Sequence, residues 1–246
     1  MKKKKLLYST LLLLIFSGNN FVVAKDVTVS SGTELQSIIQ KTTEPTKIQF
    51  EDNINITGLN TIKIGTEAIE IDGNGKSLIN EKDARFIFSN NSILTLKNMK
   101  YTGKNSSINV DKANTTILLE NIDISGRTTS AYPNGSVLFL IENSDATLNK
   151  VSVSSSSVNT TNNISGGTIY IQTAKSKGVI TDLIDNEITS LGNVYGGLIY
   201  NRRTLTPIGK LNLNGDLNNN KITAKIVYGG ILNNENSSVQ SINWNE

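Results

Sequence analysis

The sequence contains neither histidine nor cysteine, and it has only three prolines and few aromatic residues. Without histidine, the Ser-His and Cys-His nucleophile systems and histidine-ligated metal sites are excluded. Without cysteine, the chain can form no disulfide, no thiolate metal site and no lipid-modified N-terminus. Packing and hydrogen bonds must therefore stabilise the fold, and the composition predicts no metal and no cofactor.

The first 24 residues have the composition of an export signal. Lysines at positions 2 to 5 precede an apolar run from Leu6 to Phe16, and Val22-Val23-Ala24 offers small residues for cleavage before Lys25. The eleven residues of the apolar run are too few for a permanent membrane span, which needs about 20 residues. We therefore expect an exported protein, at a bacterial cell surface or outer membrane or in the medium.

Removal of the signal changes the charge balance of the chain. It leaves 20 basic and 21 acidic residues, a net charge of −1. No basic stripe remains that could neutralise phosphates, so binding to nucleic acid is not predicted. Asparagine occurs 33 times, but it is interleaved with alternating isoleucine, leucine and valine, a pattern that favours ordered strands over disorder.

Residues 25–46 are predicted to form an N-terminal cap. Ser31-x-x-Glu34 has the spacing of a capping box, and Leu35, Ile38 and Ile39 would share one face of a short helix. From residue 47 onward, short alternating segments are bounded by turn residues, with no second amphipathic helix between them. The clearest segments are Ile48-x-Phe50, Ile54-x-Ile56, Ile62-x-Ile64, Ile69-x-Ile71, Phe86-x-Phe88 and Leu94-x-Leu96.

A phrase that starts with two glycines is written three times in the second half of the chain. The steps between copies are 30 and 33 residues, and self-similarity at that period indicates stacked repeats. A glycine pair before an inward strand permits a tight corner or a close backbone approach. The copies are Gly166-Gly167-Thr168-Ile169-Tyr170, Gly196-Gly197-Leu198-Ile199-Tyr200 and Gly229-Gly230-Ile231-Leu232-Asn233.

The repeats can also be aligned by the residue that ends one strand before a polar turn. Asparagine suits such a turn because it tolerates left-handed backbone angles, and stacked asparagines can bond to one another. The alignment gives steps of 23, 29, 36 and 34 residues. It predicts one repeated turn with the members Asn98, Asn121, Lys150, Asn186 and Asn220.

The glycine pairs, together with Leu183-x-x-Asn186 and Leu217-x-x-Asn220, resemble the repeats of chlamydial polymorphic membrane proteins and, more broadly, autotransporter passenger domains. The segment from Ile69 to Gly75 is similar to the opening coils of β-helices in the pectate-lyase class. The resemblance implies a right-handed single-stranded parallel β-helix over residues 47–246. It also implies an anchoring barrel beyond residue 246, in which case the chain is truncated; the alternative is secretion without an anchor.

These observations favour a non-catalytic surface or adhesion module that presents an extended polar face to host or environmental glycans or proteins. Four tyrosines, at positions 170, 195, 200 and 228, accompany the glycine pairs. Tyr170, Tyr200 and Tyr228 are the candidate binding residues of a sugar-stacking stripe. Alternatively, Tyr170 and Tyr200 follow the pleat of their strands and have a structural role.

The alternative function is a secreted polysaccharide lyase or glycosidase, because such enzymes work with carboxylates, calcium, lysine and arginine. A glycosidase needs two carboxylates about 5 to 10 Å apart, and strands one or two coils apart could provide that separation. Solvated acids at turns are the simpler interpretation. The candidate residues are Asp83, Arg85, Asp182, Asp185 and Glu187.

Overall fold

The computed structural model describes residues 24–59, 61–82, 84–110, 112, 114–130, 135, 137–140, 145–171, 177–201, 210–234 and 242–245. Within them the chain forms one helix, α1 (Gly32–Lys41), and 25 strands. The strands are β1 (Lys25–Val29), β2 (Thr46–Phe50), β3 (Ile54–Asn55), β4 (Ile62–Ile64), β5 (Ala68–Asp72), β6 (Ser77–Ile79), β7 (Phe86–Phe88), β8 (Ile93–Thr102), β9 (Ile108–Val110), β10 (Thr116–Ser125), β11 (Thr128–Thr129), β12 (Leu138–Leu140), β13 (Asp145–Ser154), β14 (Ser157–Thr160), β15 (Ile164–Ser165), β16 (Ile169–Ile171), β17 (Lys177–Ile184), β18 (Glu187–Ser190), β19 (Asn193–Tyr195), β20 (Ile199–Asn201), β21 (Lys210–Asp216), β22 (Lys221–Thr223), β23 (Ile226–Tyr228), β24 (Leu232–Asn234) and β25 (Ile242–Asn245).

The strands lie in five separate sheets, and every strand pair in them is parallel. The large sheet has the order β1-β2-β5-β8-β10-β13-β17-β21-β25, and β3 and β6 join it at the side. The four-stranded sheet has the order β11-β14-β18-β22, the three-stranded sheet β15-β19-β23, and the five-stranded sheet β24-β20-β16-β12-β9. Strands β4 and β7 form a fifth sheet. The prediction of an all-β chain with parallel strands is confirmed.

From β13 onward the chain follows one route repeatedly. It enters the large sheet, then the four-stranded, three-stranded and five-stranded sheets, and completes this order three times between β13 and β24 before β25 returns to the large sheet. Each pass pairs with the pass before it, strand by strand. The 30-residue and 33-residue steps between glycine pairs are therefore the lengths of two complete passes.

The core consists of in-register rows of aliphatic side chains. Ile69, Leu94 and Ile117 occupy one register position in β5, β8 and β10, and all three are buried. Ile199 is buried in the same way between the neighbouring positions of β16 and β24. Each such side chain contributes about 1.5 to 3 kcal/mol when it is removed from water. The alternating pattern of the sequence thus produces the stacked core.

The cap helix forms as its sequence predicts. Ser31 is the N-cap and its Oγ accepts a hydrogen bond from the Glu34 amide, while the Glu34 carboxylate accepts one from the Ser30 amide. Leu35 and Ile39 are buried and α1 packs against β1 and β4. Strand β1 pairs with β2, so the segment before the helix is already part of the large sheet.

Two rows of left-handed residues turn the chain at successive corners. The first corner row consists of Asn98, Asn121 and Lys150, with φ of 53°, 52° and 56°. In the second corner row, each amide donates to the carbonyl just before the next member of the row along the sheet. Its members are Gly103, Gly126, Ser155, Asp185 and Asn219, all with positive φ.

The predicted alignment of asparagines is wrong for its last two members. Asn186 and Asn220 follow Asp185 and Asn219 of the second corner row, so they do not occupy the position of Asn121. The physical reason is a shift of register between β13 and β17, where consecutive residues of β17 pair with the two neighbours of Lys150. The first corner therefore has no counterpart in β17.

The glycine pairs act in both of the ways that the sequence predicts. Gly196 has φ of 58°, and a Cβ on it would lie 2.0 Å from the carbonyl oxygen of Ile199. A Cβ on Gly167 would lie 2.4 Å from the carbonyl oxygen of Gly197. Gly135, with φ of 51° and its amide bonded to the Gly166 carbonyl, is an earlier copy of the same corner. Sequence comparison missed it because its second glycine is replaced.

Candidate functional site

Tyr170 and Tyr200 form a pair on the five-stranded sheet. They occupy the same register position in β16 and β20, and their ring centroids are 5.6 Å apart in an edge-to-face arrangement. Their neighbours Ile169 and Ile171 point into the core, so strand alternation directs the tyrosines outward. The two tyrosines are nevertheless only 5% and 9% exposed. This pair is covered and presents little surface.

Tyr228 belongs to a second pair on another sheet. It lies in register with Tyr195 in β19 and β23, and the two rings stack with centroids 4.9 Å apart and an interplanar angle of 9°. The centroid separation matches the spacing of adjacent strands. Tyr228 is 43% exposed, in contrast to the covered pair.

The structure therefore does not bring Tyr170, Tyr200 and Tyr228 into one stripe. It joins Tyr228 to Tyr195, which the sequence-based selection of binding residues omitted. A signal was present in the sequence, because Tyr195 and Tyr228 each precede a glycine pair whereas Tyr170 and Tyr200 each end one of the glycine phrases. Position relative to the glycine corner decides which sheet receives the tyrosine.

The outer face of the large sheet carries a network of charged side chains. Lys97 Nζ lies 2.7 Å from Glu70 Oε1 and 3.6 Å from Asp72 Oδ2, and Lys47 Nζ lies 3.6 Å from the same Glu70 oxygen. Burial lowers the pKa of the Lys97 ammonium, but the Glu70 hydrogen bond and the charges of Glu70, Asp72 and Glu120 outweigh it and raise that pKa. The carboxylates here are neutralised within the sheet.

Polar contacts between strands continue across this face beyond the charged network. Asn98 Nδ2 donates to Asp72 Oδ1, and Asn121 Nδ2 donates to Asn98 Oδ1, both at 3.2 Å. The same pattern recurs between β10 and β13, where Asn149 Nδ2 donates to Glu120 Oε1 at 3.2 Å. Two β13 serine hydroxyls also donate to Asp123 of β10. The result is a continuous polar surface over β5, β8, β10 and β13.

A second polar ladder is buried behind the second corner row. The Asn186 side chain accepts from the Ser156 amide at 3.1 Å and from the Ser156 hydroxyl at 2.5 Å. Its Nδ2 donates to the Val153 carbonyl at 3.1 Å and to Asn220 Oδ1 at 2.9 Å. Asn186 is 1% exposed, so this ladder holds three passes of the chain together and is closed to ligands.

The residues proposed for a glycosidase or lyase are only partly described. Asp83 and the side chain of Asp182 lie outside the described residues. Arg85 and Asp185 are exposed, and Glu187 Oε1 pairs with Lys221 Nζ at 3.4 Å. Within the described part of the chain, no three acidic residues are grouped in a way that could hold a metal ion.

A cleft lies between α1 and β1, and its lining bears on the enzyme hypothesis. It contains two lysines and several hydroxyl groups but a single carboxylate, that of Glu44. A glycosidase requires two carboxylates across the scissile bond, so this cleft lacks half of the required set. Its lining is Lys25, Val27, Ser37, Ile38, Lys41, Thr42, Thr43, Glu44 and Thr46.

The fold and the surface define an all-β protein of parallel sheets with one N-terminal helix in its described part. Comparisons with protein-family models, with curated proteins and with solved structures each find no match. Among the described residues, α1 is too short and too polar to cross a membrane, and no other helix is present.

Proposed function

We propose that the mature chain is an exported, non-catalytic binding module of the passenger or adhesion type, built as a right-handed single-stranded parallel β-helix. The repeated route through four sheets supports the helical architecture, since each pass pairs in parallel with the pass before it. Right-handed crossovers are strongly favoured between parallel strands of one sheet. The export signal at residues 1–24 supports a position outside the cytoplasm.

The observation that carries the binding proposal is the continuous polar surface of the large sheet. Its side chains are held at fixed positions by bonds that run from strand to strand, such as Asp72 to Asn98 and Asp123 to Ser152. Strands repeat at about 4.8 Å, so the surface offers regularly spaced donors and acceptors. Such a surface suits many weak contacts with a glycan or protein and requires little ordering on binding.

Direct binding of the purified chain 25–246 to glycan arrays and to cultured cells tests this proposal. Thr147→Arg and Ser152→Arg place bulk on the polar surface, and Asn159→Arg places the same bulk on the exposed face of β14 as a matched control. We expect the first two variants to lose binding and the control to retain it. Binding to none of these targets by the wild-type chain would remove the proposal.

The same preparation distinguishes the enzymatic alternative. Incubation with polysaccharides, followed by assays for reducing ends and for unsaturated uronide products, detects hydrolase and lyase activity respectively. We expect neither product. Release of either product by the wild-type chain, with loss of activity in Asp185→Asn or Glu187→Gln, would replace the adhesion proposal with a polysaccharide-degrading function.

A further inference from the structure

The three-stranded sheet differs from its neighbours in aromatic exposure. Among the aromatic side chains that the structure describes, Tyr195 and Tyr228 are the two that are not buried. They form one unit, because their rings stack almost in parallel at 4.9 Å. Exposed rings that are already held by a stacked neighbour lose little conformational freedom when a ligand contacts them.

The same sheet also differs in charge. Strands β15, β19 and β23 contain no acidic or basic residue, whereas the large sheet carries the Lys47, Glu70 and Lys97 network. The β19 residue that precedes Val194 is Asn193, whose amide donates to Asn163 Oδ1 at 2.8 Å. Amide and hydroxyl groups therefore surround the ring pair, and no fixed charge on these strands would select an ionised ligand.

We propose that the Tyr195–Tyr228 pair is a stacking platform for a neutral polysaccharide. A pyranose ring presents an apolar C–H face that matches an aromatic ring and a rim of hydroxyls that match asparagine and serine side chains. Residues on this sheet that can supply such polar contacts are Ser165 and Asn193, which lie in the strands beside the rings. This inference rests on the proposed binding function and assigns it a ligand class and a location.

The experiment is affinity electrophoresis of the chain 25–246 through gels that contain one soluble polysaccharide each. Dextran, galactomannan, xyloglucan and hydroxyethylcellulose are the neutral probes, and polygalacturonate is the acidic comparator. The variants are the double substitution Tyr195→Ala with Tyr228→Ala, the conservative Tyr228→Phe, and Ile93→Ala as a control at an exposed apolar position of the large sheet. Thermal unfolding establishes that each variant is folded.

We expect the wild-type chain to be retarded by at least one neutral polysaccharide. The double alanine variant should lose about tenfold or more in affinity, which corresponds to the loss of about 1.4 kcal/mol of stacking. Tyr228→Phe and Ile93→Ala should remain within about threefold of the wild type, because Phe preserves the ring and Ile93 lies on another sheet.

Other outcomes separate this inference from the function on which it rests. Undiminished glycan or cell binding by the double alanine variant would overturn the inference and leave the proposed function in place. Retardation by polygalacturonate alone would overturn the neutral ligand class. A wild-type dimer that the double variant converts to a monomer in sedimentation would make the pair a self-association surface instead. Absence of all binding by the wild type would overturn both proposals.

Discussion

Substitution of Asn186 by alanine removes the central rung of the buried polar ladder. The side chain makes four hydrogen bonds, two from Ser156 and one each to the Val153 carbonyl and Asn220 Oδ1. The Ser156 amide and the Val153 carbonyl then lose this partner in a region closed to water. A buried polar group that loses its partner costs about 1 to 3 kcal/mol, so we expect a loss of about 2 to 5 kcal/mol in the free energy of unfolding.

The measurement is urea denaturation of the chain 25–246, followed by circular dichroism, with both the midpoint and the slope recorded. Asn159→Ala is the matched control, because Asn159 is exposed on β14 and its loss should change stability by less than about 0.5 kcal/mol. Ser156→Ala removes only the hydroxyl contact and should cost about 1 kcal/mol. Equal stability of Asn186→Ala and the control would refute the assignment of the ladder as a structural element.

Four further changes test other parts of the fold by thermal or denaturant unfolding. Gly167→Ala drives a Cβ against the Gly197 carbonyl and should cost about 1 to 3 kcal/mol, whereas Gly65→Ala meets no atom within 4 Å and should be nearly neutral; equal melting temperatures would contradict the close approach. Lys150→Gly relieves a left-handed backbone and should stabilise by up to about 1 kcal/mol, and a lower melting temperature would argue against strain there. Leu119→Asp buries a carboxylate in the core and should cost at least about 3 kcal/mol, so retention of wild-type stability would disprove its inward register. Burial raises the pKa of the Tyr101 phenol above its usual 10.0, against hydrogen bonds from Asn80 and Ser107, so its neutral form stabilises the fold below pH 10 and this contribution is lost as pH rises further; Tyr101→Phe should show a shallower alkaline decline between pH 9 and 11.5, and an unchanged slope would exclude that phenol as the cause.

Features with a local cause could be predicted from the sequence. The helix start follows from Ser31 and Glu34, whose side chains bond to amides within one turn, and no distant contact is needed. The glycine corners follow from a backbone conformation that a Cβ would obstruct. The alternation of apolar residues in turn identifies the inward positions of β5, β8 and β10.

The positions of the later asparagines could not be predicted, because both corners select residues with the same property. Asn121 in the first corner row and Asn219 in the second both adopt left-handed angles, so residue type does not distinguish the corners. Only the pairing register does, and the bulge at Lys150 shifts that register without a mark in the sequence.

The tyrosines illustrate a different limit of sequence reasoning. Strand alternation correctly directs Tyr170 and Tyr200 away from the core, yet both are covered. Periodicity reports on which side of a strand a residue lies and carries no information about what packs over that side. The pairing of Tyr195 with Tyr228 likewise depends on which passes of the chain are neighbours. Exposure of a candidate binding residue is therefore a tertiary property.

The unequal lengths of successive passes have a consequence for engineering. From Ile93 to its partner Thr116 the chain takes 23 residues, and from Thr116 to its partner Asp145 it takes 29, yet both pairings keep the same register over most of their length. The six additional residues are absorbed between Ser125 and Asp145, away from the paired strands. Foreign peptides grafted into that stretch would be displayed on a scaffold whose core and strand order do not depend on their length.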